Sequence, residues 1–193
     1  MKNKAMNIDG KMVNAGEGMT ILQAAREVGI DIPTLCYDDR LAPYGGCRLC
    51  TVEIVDDRQT RLVASCAYPA EEGLVVKTRS ERVHRIRKMI LELLMPLAPT
   101  GPVQSLAQDY GLKESRFEAD LTFCVLCGLC VRYCAEIKGA NAICFTGRGM
   151  DRQVTFVPGI AAKICPVCRE CLPLCPGGML AAEIECLLLS PCT

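Results

Sequence analysis

The first eighty residues alternate between apolar and polar positions in short stretches, a pattern typical of strands. The segment MNIDGKMVNA predicts a β-hairpin that turns at Asp9-Gly10, because Asp-Gly between two alternating stretches favours a tight turn. Three later stretches, CTVEIV, TRLVASC and GLVVKT, alternate in the same way and predict three more strands. We therefore expect a small mixed α/β unit in the first part of the chain.

Two segments have the three- to four-residue apolar spacing of helices. TILQAAREVG predicts a short helix with Thr20 as N-cap, Gln23 as its capping-box partner and Gly29 as C-cap. SERVHRIRKMILELL predicts a longer helix with Ser80 as N-cap, which ends at Pro96. We expect its apolar stripe to pack against a core or an interface, and the stripe consists of Val83, Ile86, Ile90, Leu93 and Leu94.

The chain changes character after the longer helix. PLAPTGPVQS is rich in proline and glycine and predicts a linker, and a short helix is expected near Gln104 to Tyr110. Further on, the stretch ICFTGRGMDRQVTFV predicts a hairpin that turns around Gly147 to Asp151. This hairpin separates two segments that are dense in cysteine.

Composition narrows the class of protein. The 193 residues include 15 cysteines, with 22 basic and 22 acidic residues and no tryptophan, which argues against a nucleic-acid surface. The start of the chain lacks the apolar region of a signal peptide, and the apolar run MILELLMPLA is too short to span a membrane. We expect a soluble cytoplasmic protein without membrane insertion, and in such a reducing compartment clustered cysteines usually bind metal.

CVLCGLCVRYC at 124–134 and CPVCRECLPLC at 165–175 are two copies of one cysteine pattern. In two-cluster bacterial ferredoxins, C-x2-C-x2-C holds one [4Fe–4S] cluster, and the fourth cysteine ligates the other cluster. Carried over to this chain, the pattern predicts a first [4Fe–4S] cluster held by Cys124, Cys127, Cys130 and Cys175. It predicts a second [4Fe–4S] cluster held by Cys134, Cys165, Cys168 and Cys171.

The two copies differ in one position next to the last cysteine. Pro176 follows the second copy, as in the ferredoxin motif, whereas Ala135 stands at the matching place in the first copy. This difference removes no ligand. The alternative is a pair of structural zinc sites, but zinc does not need a third and fourth cysteine at these offsets.

Four cysteines in the first part of the chain form a different pattern, Cys36-x10-Cys47-x2-Cys50-x15-Cys66. Four thiolates suit a [2Fe–2S] cluster, although the plant-type spacing has a first gap of four residues rather than ten. Gly45-Gly46 gives the loop the freedom to wrap around a cluster. The alternatives are a zinc site and four unrelated thiols.

In chain order, PTLCYDDRLAPYGGCRLCTVEI, ASCA, RIRKMILELL and FCVLCGLCVRYCAEIKG resemble the N-terminal region of the large iron–sulfur subunit of complex I. The same module occurs in the diaphorase iron–sulfur subunit of [NiFe] hydrogenases, in [FeFe] hydrogenases and in NAD-linked formate dehydrogenases. The resemblance covers nearly the whole chain and implies an α+β fold. It implies a β-grasp [2Fe–2S] domain over residues 1–79, a helix and linker over 80–118, and a two-[4Fe–4S] ferredoxin-like domain with a short tail over 119–193.

One departure from these relatives concerns an additional cluster. Most of them hold a further [4Fe–4S] cluster with one histidine and three cysteines, but LLMPLAPTGPVQSLAQDYG contains neither residue type. The only histidine, His84, is expected to be an ordinary helix residue. We therefore expect one [2Fe–2S] and two [4Fe–4S] clusters. Cys144 is expected to be a buried free thiol, and Cys186 and Cys192 are assigned no ligand role.

The sequence also bears on catalysis. It contains no G-x-G-x-x-G after a strand and no P-loop, and His84 is the only histidine for a Cys–His or Ser–His pair. We therefore expect no nucleotide site and no catalytic residue. The resemblance implies an electron-transfer subunit in a hetero-oligomer, between a flavin-containing NAD(P)H dehydrogenase subunit and a hydrogenase- or formate dehydrogenase-type subunit. Electron-bifurcating assemblies are one such arrangement.

The sequence is compatible with two alternative functions. The first is the iron–sulfur subunit of a succinate dehydrogenase or fumarate reductase, which also places a [2Fe–2S] domain before cubane motifs. Its plant-type first gap is shorter than the ten residues between Cys36 and Cys47. The second is a zinc-stabilised scaffold or an iron–sulfur sensor. A sensor normally keeps an under-ligated cluster, whereas each set here contains four cysteines.

Overall fold

The computed structural model describes residues 4–56, 59–98, 100–118 and 122–180, and the chain divides into two compact units. The first unit comprises Met1–Tyr37 with Pro43–Leu91, and the second comprises Asp38–Ala42 with Glu92–Thr193. The short segment Asp38–Ala42 therefore belongs to the second unit, although it follows Cys36 closely in the chain. The three-part division at residues 79 and 118 stays a prediction.

The first unit is built on a five-stranded mixed sheet. Its strands are β1 Lys4–Ile8, β2 Lys11–Ala15, β3 Thr51–Val55, β4 Thr60–Ala64 and β5 Val75–Lys77. The strand order is β2-β1-β5-β3-β4, in which β1 and β5 are parallel and the other neighbours antiparallel. The predicted hairpin is confirmed, because Ile8 pairs with Lys11 across Asp9 and Gly10, which have φ of 50° and 86°.

One helix, α1 Ile21–Glu27, packs into the core of this unit. Its predicted capping box is confirmed: the Gln23 backbone N–H donates to Thr20 Oγ1 at 3.3 Å, and the Thr20 N–H donates to Gln23 Oε1 at 2.9 Å. Gly29 follows the C-cap residue Val28 in the left-handed conformation, so the helix ends within one residue of the predicted position. The core that α1 joins includes Ile8, Val52 and Val76 from the sheet.

Thr20→Ala is expected to lower the free energy of unfolding by about 1 kcal/mol, because it removes the side chain that satisfies an otherwise unpaired N–H of α1. The measurement is urea denaturation followed by circular dichroism. Thr60→Ala, which removes the same atoms from an exposed position at the start of β4, is the control. An equal effect of both variants would show that the cap contributes nothing.

The longer helix, α2 Glu81–Leu94, begins where the sequence predicts and ends two residues before Pro96, and Ser80 Oγ accepts the Val83 N–H at 3.3 Å. Its predicted apolar stripe is partly wrong. The buried residues are Val83, Arg87 and Leu91, whereas Leu93 is 49% exposed. The reason is Arg87, whose guanidinium donates to the Thr51 carbonyl at 2.8 Å and places a charged residue on the buried side of the helix.

The second unit combines short helices with one hairpin. Its elements are α3 Pro102–Asp109, α4 Leu129–Arg132 continued by a π-helical turn at Tyr133–Ile137, β6 Ile143–Thr146, β7 Gln153–Phe156 and α5 Pro158–Cys168, with short 3-10 helices at Gly149–Asp151 and Leu172–Leu174. The predicted short helix and the predicted hairpin are both confirmed, since α3 covers the first and β6 pairs with β7 across residues 147–152. Among the described residues, no helix combines the length and hydrophobicity needed to cross a membrane.

Candidate metal centres

The first unit brings the cysteines at 36, 47, 50 and 66 into the loops beside β3 and β4, and three of the four are buried. The Cys47 backbone N–H donates to Cys36 Sγ at 3.3 Å, and Cys50 Sγ lies 3.3 Å from Cys66 Sγ. Gly45 has φ of 67°, a conformation that favours glycine and lets the loop turn just before Cys47. The structure thus joins the four thiols in two close pairs.

These pairs shift the pKa values of the thiols in opposite directions. A hydrogen bond from the Cys36 thiol lowers the pKa of Cys47 to about 6, and the Cys66 thiol lowers the pKa of Cys50 to about 7 in the same way. The same two bonds, with burial, raise the pKa of Cys36 and of Cys66. Because iron binds thiolates, one thiol of each pair is already favoured in the metal-binding form near neutral pH.

In the second unit, one cavity is lined by the first predicted set of four cysteines. Its lining comprises Cys124, Val125, Cys127, Gly128, Cys130, Val154, Cys175, Pro176, Gly177, Met179 and Leu180. Cys175 thus lies with the three cysteines of the other motif. The remaining side chains described in this lining are apolar, so the donor set consists of thiols alone, which is the chemistry that iron–sulfur clusters require.

A second cavity in the same unit is lined by the second predicted set. Its lining comprises Tyr133, Cys134, Lys138, Ala140, Ala142, Ile143, Ile164, Cys165, Cys168, Arg169 and Cys171. Burial raises the pKa of Cys165 and raises that of Cys171 to about 11. The Ala142 backbone N–H donates to Cys134 Sγ at 3.2 Å, a type of bond that stabilises a thiolate ligand. Arg169 adds positive charge to this lining, which suits an anionic cluster.

The backbone beside these cysteines adopts an uncommon conformation. Six described residues other than glycine have positive φ, and four of them adjoin a candidate ligand: Arg48, Phe123, Leu126 and Arg169. Left-handed residues alternating with right-handed ones turn successive N–H groups into a concave anion-binding surface, which many iron–sulfur sites use. The strain of such residues persists where a site requires it. The residues present therefore fit iron–sulfur clusters.

The other candidate residues lie elsewhere. Cys144 is half-buried in β6 and not fully buried as expected, and His84 is exposed on α2. Cys186 and Cys192 lie outside the described residues. Within the part of the chain that the structure describes, no three His, Cys, Asp or Glu residues form a group that could hold a single metal ion.

Comparison with known proteins defines the class of the first unit. Residues 5–81 match the family described as "2Fe-2S iron-sulfur cluster binding domain". This range contains all four cysteines of the first set, and the mixed sheet fits a ferredoxin-like [2Fe–2S] domain. The first unit is thus an iron–sulfur domain.

Relatives extend the comparison to the rest of the chain. The chain is 34% identical to the alpha subunit of NADPH-Fe(3+) oxidoreductase from Geobacter sulfurreducens, over 93% of this chain and 24% of that protein. It is 32% identical to "NADP-reducing hydrogenase subunit HndD" of Solidesulfovibrio fructosivorans, over 93% of this chain and 36% of that protein. The chain therefore spans about a quarter to a third of the length of these two relatives.

One solved structure is similar to this chain over most of the length of both chains. A chain of the NAD+-reducing [NiFe]-hydrogenase in the H2-reduced state is 31% identical, with a TM-score of 0.70 over 80% of this chain and 75% of that one. The chain belongs to the family of iron–sulfur subunits of NAD(P)H-linked oxidoreductases and hydrogenases.

Proposed function

We propose that this chain is a non-catalytic electron-transfer subunit that carries one [2Fe–2S] and two [4Fe–4S] clusters. The observation that carries the proposal is the pair of cavities in the second unit, each lined by four cysteines drawn from both motifs. The first unit is the [2Fe–2S] domain, and its four cysteines would hold the [2Fe–2S] cluster. The proposal of two [4Fe–4S] clusters rests on the thiol donors that line the cavities and on the ferredoxin-like spacing of the cysteines.

The bound clusters would supply one-electron redox chemistry. The chain's own residues would hold them, orient them and exclude water from them. Each site contains at least two buried thiols, left-handed residues adjoin cysteines of every site, and apolar side chains such as Val154 and Ile164 complete the linings of the two cavities. These surroundings, rather than the cysteines alone, set the potentials of iron–sulfur clusters.

The proposed partners follow from the names of the relatives. Those proteins are subunits of NADPH-Fe(3+) oxidoreductase, NADP-reducing hydrogenase and NAD+-reducing hydrogenase. We propose that this chain likewise works in a hetero-oligomer in the cytoplasm. One partner would be a flavin-containing NAD(P)H dehydrogenase subunit, and another would be a catalytic subunit of hydrogenase or formate dehydrogenase type.

Iron content and colour test the proposal. The anaerobically purified protein is expected to be brown, to bleach with dithionite and to contain about ten irons per chain, the sum of one [2Fe–2S] and two [4Fe–4S] clusters. NAD(P)H should bleach it only when a flavin dehydrogenase subunit is added, because the sequence contains no nucleotide-binding motif that we recognise. A colourless zinc protein would contradict the electron-transfer function, and about fourteen irons would contradict three clusters.

A further inference from the structure

The second cavity is bounded by a tyrosine with an unusual set of contacts. Tyr133 lines the cavity, immediately precedes Cys134 and is only 4% exposed. Its hydroxyl donates to Glu170 Oε2 at 2.7 Å. Glu170 stands between Cys168 and Cys171, so this one bond joins the two chain segments that supply the ligands of the cavity.

The same carboxylate holds a second residue of the lining. Lys138 pairs with Glu170 Oε1, and Lys138 also lines the cavity. Lys138 and Glu170 side chains are 34% and 43% exposed, so this ion pair alone contributes little. Together with the bond from the buried tyrosine, however, it ties two residues of the cavity lining to one carboxylate.

An arginine covers the tyrosine ring. The Arg40 guanidinium lies 4.8 Å from the centroid of the Tyr133 ring, within the range of a cation–π contact. Asp38 orients this guanidinium, because its two oxygens accept from Arg40 Nε at 2.8 Å and from Arg40 Nη2 at 2.7 Å. The planar guanidinium is therefore held against the ring instead of moving freely in solvent.

The segment that carries Arg40 is itself fastened to the helix that carries Tyr133. The Ala42 backbone N–H donates to Glu136 Oε2 at 3.1 Å, and the Ala42 carbonyl accepts from Arg132. Arg132 and Glu136 also contact each other at 3.4 Å across one helical turn. Both backbone groups of Ala42 are thus occupied, and the position of Arg40 two residues earlier is fixed.

We infer that Arg40, Tyr133, Lys138 and Glu170, here named the Tyr133 cap, close the second cavity against solvent and protect the cluster that it would hold. They are positioning residues and not ligands. The inference rests on the proposed function for the identity of the bound group. Its physical basis is that solvent reaches a buried site through local opening, and each contact of the cap adds to the free energy of that opening.

The experiment measures iron release from the cluster-loaded full chain to a ferrous-iron chelator under anaerobic conditions. EPR after dithionite reduction follows each [4Fe–4S] signal, and Cys134→Ser and Cys175→Ser proteins assign the signals. Tyr133→Phe removes the bond to Glu170, and Arg40→Met removes the guanidinium while keeping the length of the side chain. Each is expected to speed loss of the second cluster about three- to tenfold, as expected for one hydrogen bond or cation–π contact, and to leave the first unchanged.

Tyr68→Phe is the matched control. The Tyr68 hydroxyl accepts from Arg61 at 3.0 Å and its ring lies 5.8 Å from that guanidinium, but both residues belong to the first unit. In this variant both [4Fe–4S] clusters should be lost at the wild-type rate. If Tyr133→Phe and Arg40→Met lost the second cluster at the wild-type rate, the proposed role of the Tyr133 cap would be wrong. It would also be wrong if both variants accelerated loss of the two [4Fe–4S] clusters equally.

A second readout separates the cap from the proposed function. In the cluster-free chain, alkylation of Cys165 and Cys171 should also be faster in Tyr133→Phe and Arg40→Met, because the same closure shields the thiols. If the wild-type protein showed no [4Fe–4S] signal, the proposed function would fail while this alkylation still tested the cap. Unchanged alkylation in both variants would overturn the cap whatever the cluster content.

Discussion

Cys175→Ser is expected to remove the [4Fe–4S] cluster of the first motif and to leave the cluster of its own motif in place. Cys175 lines the cavity that also contains Cys124, Cys127 and Cys130, whereas the other three cysteines of its motif line the second cavity. The variant should lose about four of the ten irons expected for three clusters. EPR of the reduced protein should lose one [4Fe–4S] signal completely, because the cluster needs four thiolate ligands and the variant leaves three.

Cys134→Ser is the reciprocal variant. Its thiol lines the second cavity, so it should lose the other [4Fe–4S] signal and the same amount of iron. Cys144→Ser is the control, since this half-buried cysteine lies in β6 outside both linings and should keep all the iron. If Cys134→Ser and Cys175→Ser both lost the same signal, or each lost the cluster of its own motif, the crossed arrangement would be wrong.

The crossed grouping illustrates which features the sequence could predict. Cysteine spacing determines which thiols can reach one cluster, so the sets of four were predictable from the ferredoxin pattern. The Asp9-Gly10 hairpin and the Thr20–Gln23 capping box were predictable for a similar reason, since both depend on residues within a few positions of each other. Ligation by these sets stays a prediction until clusters are measured.

Features that depend on distant residues were not predictable in this way. The burial of Arg87 needs the Thr51 carbonyl, 36 residues away in the chain, as its partner. Sequence periodicity alone therefore assigned Leu93 to the buried stripe. The contact between Arg40 and Tyr133 joins residues more than ninety positions apart, and the spacing of the cysteines beside them does not predict it. Only the folded chain shows that the segment after Cys36 packs in the second unit.

A close backbone approach in the second unit leads to the other large effect. Gly177 follows Cys175 by two residues and lies against Phe123, which immediately precedes Cys124. A Cβ atom at position 177 would be 2.0 Å from the Phe123 carbonyl oxygen and 2.8 Å from its carbonyl carbon. The neighbour is backbone, which cannot rotate away as a flexible side chain would. Cys175 and Cys124 line the same cavity, so we expect a shift at this contact to move the two thiols apart.

Gly177→Ala is therefore expected to separate Cys175 from Cys124 and to prevent assembly of the first [4Fe–4S] cluster, with loss of about four irons per chain. The second [4Fe–4S] cluster and the [2Fe–2S] cluster should remain, because their cysteines do not depend on this contact. The free energy of unfolding should fall by about 1–3 kcal/mol, the range for overpacking a close contact. Iron analysis with EPR, and urea denaturation, measure the two effects.

Gly159→Ala is the control for Gly177→Ala. A Cβ at Gly159, near the start of α5, would have no atom within 4 Å, and alanine suits a helix better than glycine. This variant should keep all three clusters and be at least as stable as the wild type. Full iron content in Gly177→Ala would show that the first motif reaches Cys175 without the close approach at Phe123. Loss of both [4Fe–4S] clusters would instead show that the two cavities assemble as one cooperative site.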